Sequence, residues 1–181
     1  MLAQTLNPFE SESSEQSLEV EAGLKAPKDF DFMIGHWQVK HRRLKKRLEN
    51  CQEWYEFDGT SSTIKTLGGF GNLEDNLLNL SEAYPEESYR ALALRSFNEM
   101  TQTWSIWWLD ARFPDALETP VTGRFTQGIG LFYANDVLHG QNIKVRFKWI
   151  SSAKSPRWEQ AFSTDDGTTW ETNWIMEFSP L

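Results

Sequence analysis

Residues 158 to 174 read W-E-Q-A-F-S-T-D-D-G-T-T-W-E-T-N-W, two alternating segments joined by a run of turn formers. Trp158, Gln160 and Phe162 fall on one face of the first segment, and Trp170, Thr172, Trp174, Met176 and Phe178 share one face of the second. A period of two is what a pleated strand imposes, because successive side chains leave opposite faces. Between the segments, Asp165 and Asp166 can hold nearby amides with their carboxylates, and Gly167 is free to take a positive φ. This stretch predicts a hairpin, with Ser163, Asp165 and Thr169 bonding turn amides and Trp170 packed beneath. So much apolar surface on one hairpin demands more sheet to cover it.

The rest of the chain supplies that sheet. Strand patterns are expected over 36–48, 52–57, 60–66, 77–83, 88–98, 101–109, 122–125, 128–133 and 143–151, separated by Gly59, Gly68-Gly69, Pro85, Asn98-Glu99, Pro114, Pro120, Asn135-Asp136 and Ser155-Pro156. About ten strands with short connections and no long amphipathic helix make an antiparallel all-β domain and exclude alternating β and α units. The turn spacing S-x-D-x-G-x-T-W resembles the Asp box of sialidase-type propellers. It occurs once and no repeat of 40 to 50 residues accompanies it, so a propeller is excluded. Ile143, Val145, Phe147 and Trp149 oppose Lys144, Arg146 and Lys148, the inside and outside alternation of a barrel strand. Gly68-Gly69-Phe70-Gly71-Asn72 lacks the Lys-Ser/Thr of a phosphate loop and reads as a loop or bulge. Residues 29–34 read as a short helical turn capped by an Asp, with Phe30, Phe32 and Met33 available to plug one end.

A chain of 181 residues fits one domain. Residues 1–26, rich in Ser and Glu, are expected to form a disordered acidic tail, and residues 27–181 the barrel domain. Cys51 is the sole cysteine, so neither an internal disulfide nor a cysteine zinc site is expected. With no secretory pattern at the start and no apolar run of spanning length, the expectation is a cytoplasmic protein without membrane association. A formal charge of -8 argues against nucleic-acid binding, which needs a broad cationic surface. Six of the 18 Lys and Arg residues nevertheless fall between positions 40 and 47. Nine Trp and twelve Phe supply either a wide core or the walls of a ligand cavity. Each Trp, if buried, contributes roughly 4 to 6 kcal/mol from its surface.

Several segments together carry a family resemblance. Phe32-Met33-Ile34-Gly35-His36-Trp37-Gln38-Val39 resembles the G-x-W entry of lipocalin-like, or calycin, barrels. To it are added Glu53-Trp54-Tyr55-Glu56-Phe57-Asp58-Gly59, Leu67-Gly68-Gly69-Phe70-Gly71-Asn72, Trp104-Ser105-Ile106-Trp107-Trp108-Leu109-Asp110, Pro120-Val121-Thr122-Gly123-Arg124-Phe125 and Val145-Arg146-Phe147-Lys148-Trp149. Over residues 28–179 the chain resembles a bacterial family of uncharacterised calycin-like domains. The resemblance implies a calycin-like β-barrel of about ten strands with a helical turn before the first, and no particular reaction.

Polar residues at inward positions are the candidates for function. On the face of Trp37 and Val39, the side chains of His41, Arg43 and Lys45 would point inward or to the mouth, where an Arg can fork a carboxylate or phosphate. Arg43 can equally pair with Glu53, Glu56 or Asp58. Arg95 alternates with Tyr89, Ala91, Ala93 and Phe97, so an inward Arg95 needs an internal carboxylate or an anionic ligand. Gln160 and Asn173 are further candidates, and Arg146, opposite the apolar stripe, reads as surface. His36, His41 and His139 show no metal-binding spacing, and nothing selects His41 or His139 as a haem ligand, so no metal or cofactor is expected. The expected function is the binding of a small hydrophobic or amphipathic molecule, with or without an acidic head, near Trp37, Trp54, Trp108 and Trp149. Two alternatives stand beside it. One is an isomerase, cyclase or lyase using His41, Glu53 and Arg43. The other is a scaffold whose basic strand, residues 40–47, meets an acidic partner or a second copy in a homodimer through Arg42, Lys45 and Lys46.

Overall fold

The computed structural model describes residues 25–80 and 87–181. The tail expected over residues 1–26 lies outside them except for its last two positions, as does the end of the strand expected over 77–83. Ten antiparallel strands follow in order: β1 (Gly35–Leu44), β2 (Trp54–Thr66), β3 (Gly71–Asn79), β4 (Tyr89–Asn98), β5 (Thr103–Asp110), β6 (Val121–Thr126), β7 (Ile129–Leu138), β8 (Gln141–Ile150), β9 (Arg157–Ser163) and β10 (Glu171–Pro180). Each pairs with its successor and β10 returns to β1, which closes an up-and-down barrel without a free edge. The all-β, ten-strand expectation holds. Helix among the described residues is confined to 3₁₀ geometry, chiefly the turns Asp31–Met33 and Leu67–Gly69, and no helix is long and apolar enough to cross a membrane.

Strand boundaries depart from the expected ones for local reasons. Segments 52–57 and 60–66 are one strand, because Gly59 serves close packing instead of a turn. It pairs with Val39, and a Cβ there would overlap the Leu77 carbonyl and lie 2.8 Å from His41 Nε2. Strand β1 ends at Leu44, before Leu48 and Asn50 take positive φ of 60° and 58°. Gly71 and Asn72, expected in a loop, begin β3. Two-residue turns with positive φ at both positions, Gln127-Gly128 and His139-Gly140, join β6 to β7 and β7 to β8. Strand β7 therefore runs straight through Asn135-Asp136, which had read as a break.

The hairpin turn forms largely as its sequence implies. Ser163 Oγ accepts the amides of Asp165 and Gly167 at 3.3 and 2.8 Å, and Asp165 accepts the Thr169 amide at 2.8 Å. The Thr169 hydroxyl also donates to Asp165, and the two Thr169 bonds pull the Asp165 carboxyl down to about 2. Trp170 packs under the turn, its Nε1 donating to the Gly167 carbonyl. Its face is not that of Trp174, however. A β-bulge between Thr172 and Trp174 shifts the register, so Trp174, Met176 and Phe178 are buried while Trp170 lies against Arg146 and Tyr133.

One barrel end is plugged by the segment before β1. Met33 and Phe30 are buried there, with Phe30 in edge contact with Trp104, Phe125 and Trp149. Trp37 Nε1 donates to the Met33 carbonyl at 2.9 Å, tying strand to plug. Asp29 does not cap the turn as expected; it accepts the Trp104 indole N–H at 3.0 Å. Near this end β6 and β7 approach so closely that a Cβ on Gly123 would overlap the Leu131 carbonyl. Gly123→Ala is expected to destabilise the protein by about 1–3 kcal/mol, the usual cost of overpacking, read as a lower urea midpoint at unchanged slope.

Candidate ligand cavity

Register fixes which side chains share the interior. Along β4 and β5, Arg95 faces Ile106 and Ala93 faces Trp108; along β8 and β9, Phe147 faces Gln160 and Trp149 faces Trp158. Between these walls lies a cavity of about 340 Å³. That is at the small end of the roughly 300–1,000 Å³ typical of ligand pockets. Trp108, Val145, Phe147, Trp158, Phe162 and Trp174 give it apolar walls. Small lining residues on β4 and β7, Ala93 and Ala134, leave space that large ones would otherwise fill.

Its deep end is polar. Arg95, 1% exposed, forms an ion pair with the buried Glu74 and donates to Asn72 Oδ1 at 2.8 Å. The guanidinium also lies over the rings of Phe30 and Trp149, at 4.8 and 5.1 Å. Ser61 donates to the other Glu74 oxygen at 2.6 Å, so the carboxylate is held from both sides. Of the two partners that an inward Arg95 requires, an internal carboxylate is the one present.

The other end is an arginine-rich mouth. Arg43 lies over Trp174 and Phe57, at 5.2 and 5.6 Å, and donates to the Tyr89 hydroxyl at 3.4 Å. Arg47 lies over Phe162, and both burial and the neighbouring Arg43 charge lower its guanidinium from the ordinary value. Arg112 rests on the Tyr89 ring at 3.5 Å and forks Asp110, whose carboxyl is held low by those bonds although burial alone would raise it. Glu118 faces the same opening, pushed above the usual carboxylate range by burial and then by Asp136 and Asp110.

Five of the nine candidate residues, Arg43, Arg95, Trp108, Trp149 and Gln160, line this cavity; Trp37, His41, Trp54 and Asn173 do not. Trp37, on β1, is bonded to the plug, and Trp54 lies on the outer face under Arg42, at 5.1 Å. Asn173, at the bulge, stands behind Gln160 and accepts its amide at 2.8 Å. His41 is inward and 2% exposed, but it stacks on Phe57 at 4.6 Å and accepts the Trp174 indole N–H at 3.3 Å. Burial, reinforced by Arg43, lowers its pKa to about 3, so its imidazole is neutral. Glu53 points outward and pairs with Lys45 at 2.7 Å, which separates it from His41 and Arg43. The expected inward Lys45 is thereby corrected: the strand has ended at Leu44, and Lys45 is exposed. Arg42 and Lys46 likewise pair with Glu56 and Glu49 on the surface. Among the described residues, no three His, Cys, Asp or Glu side chains gather closely enough to hold a metal ion.

The sequence did not single out Glu74, Tyr89, Arg112, Trp158 and Trp174 as ligand contacts, and Arg47 was counted only within the basic strand. Register was the missing signal, since parity along each strand names an inner face only once a pairing anchors it. Neither a protein-family model nor a curated protein matches this chain.

Proposed function

We propose that the barrel binds a small, largely apolar or amphipathic molecule between its aromatic walls. The observation that carries this is the 340 Å³ cavity, walled by Trp108, Phe147, Trp158, Phe162 and Trp174, in a barrel plugged at one end and open toward the arginines at the other. A place among calycin-like barrels is part of the same reading, supported by the closed meander and the plug beneath Trp37.

The neutral dye N-phenyl-1-naphthylamine tests it, because its emission rises in an apolar site. Wild-type protein is expected to saturate at one dye per chain. The Ala93→Phe/Ala134→Phe double variant, which fills the cavity from two strands, is expected to bind at least about tenfold more weakly while melting at a similar temperature. Undiminished binding by a folded double variant would place the dye elsewhere and remove the proposal. Native mass spectrometry of protein from its own cells would then identify the resident molecule.

A further inference from the structure

We infer that Arg43 and Arg47 form a head-group site, so that the molecule held in the cavity is an amphipathic anion with its acidic oxygens at the mouth. This rests on the cavity-binding reading above and specifies its ligand. Both guanidiniums line the cavity. Among the described residues neither makes an ion pair with a carboxylate within 4.0 Å, although Arg42, Lys45, Lys46 and Arg112 nearby all do.

The guanidinium carbon of each arginine lies over an inner aromatic ring, Trp174 and Phe57 for Arg43 and Phe162 for Arg47. A guanidinium held against a ring, which accepts no N–H bond in its plane, keeps N–H groups for recognition of an oxyanion. Arg43's protein partner is a neutral hydroxyl, that of Tyr89. Two like charges drawn together in a partly buried site carry a repulsion that a bridging anion relieves.

The carboxylates at the mouth do not substitute for that anion. Asp110 is engaged by Arg112, and Glu171 accepts the Leu48 amide at 2.8 Å. Glu118 and Asp136 line the opening but lie beyond ion-pair distance of either arginine. Glu118 and Glu171 attract the Arg47 charge, but from beyond ion-pair distance. An apolar body between Trp108, Trp158 and Trp174 with its acid at Arg43 and Arg47 would span the cavity from wall to rim.

Two dyes with the same aromatic body isolate the head group: neutral N-phenyl-1-naphthylamine and 8-anilinonaphthalene-1-sulfonate. Wild-type protein is expected to prefer the sulfonate by at least about tenfold at low salt, the scale of charge-assisted hydrogen bonds. Arg43→Met/Arg47→Met is expected to abolish the preference, read as the ratio of the two dyes' affinities in the same variant, so that any change in the apolar walls affects both dyes and cancels. The control Arg42→Gln/Lys46→Gln removes the same charge from the outer surface and should keep it. Equal binding of the two dyes by wild-type protein, or a preference that survives the Arg43/Arg47 change, would overturn the inference while leaving cavity binding intact. Loss of the preference in the outer-surface control as well would overturn it too, by showing that net charge alone attracts the sulfonate. Failure of both dyes to bind would instead remove the parent reading.

Discussion

Replacing Arg95 with Met is expected to destabilise the protein by about 3–5 kcal/mol, because it strands the Glu74 carboxylate in the interior without its counter-charge. At roughly 2–4 °C per kcal/mol for a chain of this size, the melting temperature should fall by about 6–20 °C. The loss exceeds that of an ordinary core substitution because Arg95 makes two kinds of contact. Its N–H groups satisfy Glu74 and Asn72, and its guanidinium packs against the rings of Phe30 and Trp149. Glu74→Gln should cost less than Arg95→Met, since a neutral amide can still meet the Ser61 hydroxyl. Arg95→Met/Glu74→Met removes both charges together and is expected to recover most of the loss. Urea unfolding of the four proteins checks this. A double variant as unstable as the Arg95 single variant would show that packing against the rings, and not the buried charge, dominates.

Arg95 was legible in the sequence, and Glu74 was not, for a shared reason. Along strand β4, Tyr89, Ala91, Ala93 and Phe97 share the parity of Arg95, so small and aromatic residues declare its face. Strand β3 reads G-N-L-E-D-N-L-L-N, and its inner face is Asn72, Glu74, Asn76 and Leu78. That is a polar inner face against an outer Leu73 and Leu77, an inversion of the usual pattern that makes the segment look like a turn. The inversion is tolerated because Arg95 and Ser61 on the two flanking strands engage Glu74. Trp54 misled in the opposite sense. Its size suggested the cavity, but inner positions on β2 are Phe57, Gly59, Ser61 and Thr63, and a Trp out of step with them packs outside under Arg42. The hairpin announced itself through local chemistry at Ser163, Asp165 and Gly167, yet concealed its bulge, which only pairing with β9 reveals. Fold class was therefore written in the alternation, while the mouth depended on where β1 stops, a tertiary fact.

Stability is expected to fall by about 2–3 kcal/mol between pH 6.5 and pH 4.5, with His41 as the main cause. The folded protein holds this imidazole neutral, with a pKa lowered from 6.5 to about 3, first by burial and then by the Arg43 charge. Below pH 6.5 the unfolded chain takes up a proton that the folded one refuses, so acid favours unfolding. The slope approaches about 1.4 kcal/mol per pH unit, and the whole contribution, exhausted below pH 3, is roughly 4–5 kcal/mol. The opposing group is Glu118, whose raised carboxyl gains a proton more readily when folded and offsets part of the loss near the lower limit. Asp110, Glu53 and Asp165, all lowered, add their own acid sensitivity chiefly below pH 4.5, outside the window. His41→Gln keeps an acceptor in reach of the Trp174 indole but cannot take up the proton. It is expected to be less stable than wild type at pH 7, where stacking on Phe57 is lost, and to show a nearly flat profile from pH 6.5 to 4.5. Urea midpoints at half-unit intervals measure both profiles. A variant as steep as wild type would move the acid sensitivity to another group and break the link between His41 burial and stability.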